Sequence, residues 1–137
     1  ANEAISRSFS DESFDILMIH GGEEWSVAPS IEVQELFRSY LDIGADAIIG
    51  SHPHVLQGLE AAKGKLIAYS LGNFLFPGME DTRYGEESLI LRLGIHDNTI
   101  RYVDLVPVQI DGITVSVDHS GRIIERVLKQ TEVLNRD

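Results

Sequence analysis

Three histidines stand where imidazole side chains could bind a metal ion. His20 ends the apolar run FDILMIH, while His52 and His54 follow the apolar run DAIIG in the segment SHPHVLQG. Residues two apart in extended chain point to the same side, so His52 and His54 can converge on one ligand. Neutral imidazole suits zinc, iron, manganese or nickel better than calcium. The spacing predicts a transition-metal site, and a structural role for each histidine is the competing interpretation.

The elements around these histidines are predicted to be a strand, a helix and a strand. The continuous apolar runs at residues 14–20 and 46–50 are typical of strands buried on both faces. Between them, Ser30 is a natural N-cap, apolar residues from Ile31 recur at helical spacing, and Gly44 ends the helix. A right-handed crossover makes the strands parallel, and ligands bind at the carboxyl edge of such sheets. We expect all three imidazoles at that edge.

The rest of the chain favours antiparallel pairing. Strands are predicted at residues 65–71, 88–95, 99–110 and 113–117, with a tight turn at 96–98 and a polar loop at 77–87. A C-terminal helix follows Gly121, with apolar residues on one face: Ile123, Ile124, Val127, Leu128 and Leu134. The expected fold class is α/β, a parallel βαβ unit followed by a more antiparallel sheet and this helix. Residues 1–13 are expected to form a polar N-terminal tail to a single domain over residues 14–137.

Other polar residues near the predicted edge have several interpretations. Glu24, next to Glu23, could bond to a ligand imidazole, act as a general acid or base, or belong to a solvated charge pair. Asn73 in SLGNF follows a strand end, so its amide could serve a substrate or a metal-bound water, or could stabilise a turn. Ser51 and Ser70 lack an evident base and orienting group, which argues against serine-hydrolase chemistry.

Composition excludes several classes of protein. The 137 residues include 11 Lys and Arg against 22 Asp and Glu, giving a net charge of −11, and no Cys. An acidic surface repels a phosphate backbone, so nucleic acid is not an expected partner. Without Cys there is no disulfide framework and no zinc–thiolate site. No apolar run approaches the roughly 18 residues of a membrane span, and the first residues lack a signal-peptide pattern, so no such segment is expected in this sequence.

Three segments together resemble the CapA family of bacterial capsule (poly-γ-glutamate) biosynthesis proteins. They are HGGEEW, GADAIIGSHPHVLQG and LIAYSLGNFLF, and the similarity is close over residues 14–76 and looser to residue 110. The resemblance implies half of a sandwich like that of the metallophosphoesterases (calcineurin-like), in which two metal ions lie between strand ends.

The resemblance also implies roles for individual residues. His20, His52 and His54 match the last three metal ligands of that fold. Asn73 matches the SLGNF signature and is a candidate for shaping a substrate pocket. Glu24 matches an acidic position of the family and is the candidate catalytic residue. The implied cofactors are divalent transition metals, Mn, Fe or Zn, paired only in the intact protein.

Family members begin with an Asp-bearing strand and an Asn-Asn-His element, and nothing upstream of Phe14 matches them. The sequence is therefore expected to be a C-terminal portion of a longer protein. Alone, this portion is expected to bind one metal ion weakly and to catalyse no hydrolysis. The resemblance implies that the intact protein is a metal-dependent phosphoester hydrolase; the alternative is a non-catalytic accessory protein of capsule polymer assembly or export. Expected partners are the missing N-terminal half, a second copy in a dimer or domain swap, and an anionic polymer or phosphoester substrate. The expected location is the bacterial cell envelope.

Overall fold

The computed structural model describes residues 2–10 and 12–136, so residues 1, 11 and 137 of the predicted tail and domain lie outside it. In chain order its elements are α1 Asn2–Ser6, β1 Ile16–His20, α2 Ile31–Asp42, β2 Ala47–Ser51, β3 Leu59–Ala62, β4 Lys65–Ala68, β5 Glu87–His96, β6 Thr99–Asp111, β7 Thr114–Val117 and α3 Arg122–Leu134. The predicted α/β class is confirmed, with a βαβ unit, an antiparallel sheet and a C-terminal helix. Strand β3 was not predicted, and β4 ends three residues earlier than expected.

The first sheet positions the histidines. Its strand order is β1-β2-β4-β3; β1, β2 and β4 are parallel and β3 runs antiparallel to β4. The helix α2 connects β1 to β2, and Ser30 caps it by accepting a hydrogen bond from the backbone N–H of Val33. The register aligns His20 with Ser51. This alignment brings the end of β1 beside the SHPH segment that follows β2.

The second sheet is a hairpin extended by one strand. Strands β5, β6 and β7 pair antiparallel in that order. The turn between β5 and β6 consists of Asp97 and Asn98, both with φ near 50°. Positive φ at both central residues is the requirement of the type I′ hairpin turn, which Asp and Asn tolerate well. The predicted tight turn is therefore confirmed.

Two core clusters lie on opposite faces of the first sheet. The cluster toward α3 and β5 contains Ala47, Leu56, Leu59, Leu66, Ala68, Leu89, Ile123 and Val127. The cluster under α2 contains Phe37, Leu41, Ala45, Ile48, Ile67 and Tyr69. Neighbouring residues of one strand therefore face different cores, as the pleat requires. Of the predicted apolar face of α3, Ile123 and Val127 are buried, whereas Leu128 is 52% exposed and lies at the margin of the packed surface.

Strand β1 is an edge of the first sheet within the described residues. Along it, Leu17 and Ile19 pack against the cluster under α2, but Ile16 is 48% exposed and Met18 is 78% exposed, so the prediction that β1 is buried on both faces was wrong. A flat apolar edge is a template for pairing with another chain. The segment predicted as a tail includes α1, and its Phe9 packs against the same cluster. Among the described residues, no helix combines the length and the apolarity needed to cross a membrane.

We expect this edge to cause self-association. Sedimentation velocity at high protein concentration is expected to show a dimer, and Met18→Lys is expected to shift the chain to the monomer, because a charge on an edge strand opposes pairing. Val133→Lys, which places the same charge on an exposed position of α3, is the matched control. A wild-type chain that stays monomeric at high concentration would contradict this expectation.

Candidate metal centre

The structure brings the three predicted histidines together at the carboxyl edge of the parallel strands. The Nε2 atom of His20 lies 3.2 Å from the Nδ1 atom of His52. The ring centroids are 4.9 Å apart for His20 and His52, and 6.0 Å apart for His52 and His54. His20 is exposed and the other two are half-buried. The three rings therefore lie at one edge, as the crossover argument predicted, with His52 between His20 and His54.

The orientation of His54 is fixed by Asn73. The amide nitrogen of Asn73 donates to two backbone carbonyls, His54 O at 3.1 Å and Gly85 O at 2.9 Å, which identifies the other end of the amide as oxygen. That oxygen lies 2.7 Å from His54 Nδ1, so Nδ1 carries the proton and donates. The lone pair of His54 is therefore on Nε2. This arrangement is the one in which an outer partner orients a metal-ligating imidazole.

His20 is oriented by Ser51 in the same manner. Its Nδ1 atom lies 3.1 Å from Ser51 Oγ, and the Ser51 hydroxyl donates to Ile19 O at 3.4 Å. In the tautomer in which His20 Nδ1 donates to Ser51 Oγ, the lone pair of His20 is on Nε2, facing His52. At 3.2 Å one ring can donate to the other, but two nitrogens that share a tetrahedral zinc ion at about 2.0–2.1 Å also lie about 3.3 Å apart. The pair is thus spaced for a shared cation.

A carboxylate joins the imidazoles at this edge. Glu24, His52 and His54 each offer one ligand atom, and these three atoms lie within 4.8 Å of one another; His20 is not part of this group, which is the one found in the described part of the chain. Glu24 is exposed on the loop that follows β1. The residue predicted as a catalytic candidate thus lies among ligand-competent atoms. Nitrogen and carboxylate donors in this number match a catalytic divalent metal, which takes three protein ligands and keeps a position open.

Aromatic rings form the wall of the site. The Trp25 ring stacks on His54, with centroids 5.1 Å apart and an interplanar angle of 26°. Phe76 approaches the same imidazole at 5.2 Å. The backbone N–H of Trp25 donates to Pro53 O at 2.8 Å and attaches this loop to the SHPH segment. Phe76 was not among the predicted site residues, although its position three residues after Asn73 was a signal.

The backbone at the site is strained. Trp25, His52 and His54 have φ values of 64°, 105° and 60°, in the left-handed region that residues with a Cβ disfavour. Such conformations cost on the order of 1–3 kcal/mol each and persist only where the surroundings enforce them. Here the enforcing contacts are the Asn73 hydrogen bonds and the Trp25–Pro53 bond. Strain concentrated on three residues of one cluster is typical of a functional site.

The comparisons with known proteins agree with one another. A family model described as bacterial capsule synthesis protein PGA_cap matches residues 2–78. A capsule biosynthesis protein CapA of Bacillus anthracis is 34% identical over 122 residues, which cover 85% of this chain and 29% of that protein. A PGA biosynthesis protein CapA of Bacillus subtilis is 33% identical over 111 residues, which cover 80% of this chain and 28% of that protein. The chain thus spans less than a third of the length of these relatives.

Proposed function

The chain belongs to the family of bacterial capsule synthesis proteins, and from this premise we propose that it forms the imidazole-rich part of a metal-dependent phosphoester hydrolase acting in capsule synthesis. The observation that carries the proposal is the convergence of His20 Nε2 on His52 Nδ1 beside an His54 ring held by Asn73. The proposed substrate is an anionic polymer or a phosphoester. We place this activity in the bacterial cell envelope.

The proposed metal ligands are His20, His52 and His54, and Glu24 is either a further ligand or the catalytic residue. A bound Mn, Fe or Zn ion supplies Lewis acidity and lowers the pKa of a coordinated water. Asn73 and Ser51 accept hydrogen bonds from Nδ1 of His54 and of His20, so that the Nε2 lone pair of each ring stays available for the metal.

The side chains around these ligands determine access to the site. Trp25 and Phe76 flank His54 and keep bulk water from that side of the ring. Glu24 is exposed, and its carboxylate can either bind the cation or exchange a proton with the leaving group.

A second candidate function is binding without turnover. One observation favours it: Glu24 is the sole carboxylate in the metal-ligating group of the described residues. Paired-metal hydrolases clamp the phosphoryl group between two ions about 3.5–4 Å apart, and the bridging positions usually need additional carboxylates. In this alternative the chain is part of an accessory protein of capsule polymer assembly or export.

One experiment separates the two candidates. Metal content and hydrolysis of bis(p-nitrophenyl) phosphate are measured on a full-length family member that contains these residues, and on the chain alone. We expect the full-length protein to hydrolyse the diester when it is loaded with Mn or Zn, and the chain alone to bind metal without turnover, because its described residues offer a single group of metal-ligating side chains. Metal-loaded full-length protein without hydrolysis would favour the binding function, and a full-length protein that binds no metal would contradict both the centre and the hydrolase.

A further inference from the structure

A cavity of ≈ 460 Å³ lies next to the candidate metal centre. Its walls come from the loop after β1, from the loop between β4 and β5, and from α3. The residues that line it are Trp25, Val27, Thr82, Arg83, Tyr84, Arg126 and Gln130. Trp25 is the shared wall, because the same ring stacks on His54. A ligand in this cavity would therefore contact Trp25, the residue that also borders the metal centre.

The cavity is cationic in a chain of net charge −11. Two arginines line it and no acid does. The guanidinium carbons of Arg83 and Arg126 lie 4.8 Å and 4.1 Å from the centroid of the Tyr84 ring, and Arg83 Nη2 donates to the Tyr84 hydroxyl at 2.8 Å. Glu87 contacts Arg126, whereas Arg83 forms no ion pair among the described residues. One positive charge therefore stays uncompensated at the cavity.

Polar atoms of the cavity wall lack partners. Arg126 Nη1 and Gln130 Oε1 are buried and have no hydrogen-bond partner among the described residues. Leaving such a donor unpaired is costly, and more so when it is charged. Burial lowers the pKa of Arg126, and the nearby charge of Arg83 lowers it further. An oxyanion next to Arg83 would offset the repulsion between the two guanidinium groups.

Hydrogen bonds of Asn73 connect the cavity wall to the metal centre. Asn73, which is buried, bonds through its oxygen to the His54 ring and through its nitrogen to the carbonyl of Gly85, next to Tyr84. Tyr84 has a left-handed backbone with φ 66°. The loop that carries Arg83 is thus held at a fixed place relative to His54.

We propose that this cavity is an oxyanion subsite, where Arg83 binds a carboxylate or phosphate group of the substrate next to the bond being hydrolysed. That the subsite lies next to the hydrolysed bond rests on the proposed function. That the cavity binds an oxyanion does not. Arginine suits this role because its planar fork of donors matches carboxylate and phosphate oxygens. The aromatic and apolar wall of Trp25, Tyr84 and Val27 accommodates the carbon skeleton that bears the anion.

The test is a calorimetric titration of the metal-free chain, in Tris buffer of low ionic strength, with glutarate and with inorganic phosphate. Arg83→Gln is expected to weaken binding about tenfold, the effect of one charge-assisted hydrogen bond. Arg136→Gln, which removes an exposed arginine of the surface pair with Glu132, is the matched control. Arg126→Gln is the less suitable variant because it leaves the Glu87 carboxylate without its partner.

The outcomes are separable. Tighter binding of glutarate identifies a carboxylate group as the ligand, and tighter binding of phosphate identifies a phosphoryl group. Equal affinity of the Arg83→Gln and Arg136→Gln chains, or no saturable binding of either anion by the wild-type chain, overturns the subsite. The His54→Ala chain is expected to lose metal binding and to keep its affinity for the anion. The anion titration therefore tests the subsite even if the proposed metal centre is wrong, and metal binding tests the centre even if the subsite is wrong.

Discussion

Replacing His54 with alanine is expected to weaken transition-metal binding by more than about 100-fold. Loss of an outer partner of a ligating histidine typically costs 10–100-fold in affinity, and loss of the ligand itself costs more. Dialysis against a chromophoric chelator followed by elemental analysis measures the affinity. His96→Ala is the matched control, because His96 lies at the end of β5 and is 73% exposed beside Asp97.

Asn73→Ala gives the graded comparison for the same centre. It leaves all proposed ligands in place and removes the hydrogen bond to His54 Nδ1, so we expect an intermediate loss of about 10–100-fold. The predicted order of affinities is wild type, Asn73→Ala, then His54→Ala, with His96→Ala equal to wild type. A His54→Ala chain that binds metal as tightly as His96→Ala would show that the imidazole is not a ligand.

Replacing Glu60 with alanine is expected to destabilise the fold by about 3 kcal/mol. Glu60 is 6% exposed and accepts three hydrogen bonds, from Arg38 Nε at 2.7 Å, Arg38 Nη2 at 3.0 Å and the Tyr69 hydroxyl at 2.7 Å. Its removal leaves the buried Tyr69 hydroxyl without an acceptor; Arg38, 44% exposed, can turn to water. That loss is a large share of the 5–15 kcal/mol by which domains are stable.

Urea unfolding followed by circular dichroism measures this effect. Glu132→Ala, which breaks a pair with Arg136 that is two-thirds exposed on both sides, is the matched control and should cost less than about 1 kcal/mol. Equal stability of the two variants would show that the Glu60 network does not hold β3 and β4 to α2.

The same network predicts a pH dependence. Burial raises the pKa of Tyr69, and its hydrogen bond to Glu60 adds to the rise. A group whose pKa is raised on folding stabilises the protein fully below its unfolded pKa, so stability is expected to fall as the pH rises past about 10, where unfolded tyrosine ionises. Tyr69→Phe removes this tyrosine's contribution, and an unchanged slope above that pH would contradict the assignment.

The parts of the fold that follow from periodicity could be predicted from the sequence. Continuous apolar runs located β1 and β2, helical spacing and Ser30 located α2, and the alternation around residues 96–98 located the hairpin. The crossover rule then placed His20 and the SHPH segment at one edge, because handedness leaves parallel strands a single arrangement. These inferences need local pattern and chirality only.

Other features depend on tertiary contacts that no local pattern contains. Strand β3 is short and its pairing with β4 supplies its structure. Gly50 is needed because of the segment that follows β4: a Cβ at Gly50 would lie 2.1 Å from the carbonyl oxygen of Tyr69. The partners of Asn73 and the cavity with Arg83 join loops far apart in sequence, so residue type suggested candidates without giving their contacts.

The most direct test is a long-range ¹H–¹⁵N spectrum of the histidine rings, recorded while zinc is added to the metal-free chain. Ligation moves the resonance of the nitrogen that binds the metal, so each imidazole reports for itself. We expect the rings of His20, His52 and His54 to respond together and to saturate, while His96 and His119 stay unchanged. Five rings that respond alike, or three that respond at different zinc concentrations from one another, would contradict a shared centre.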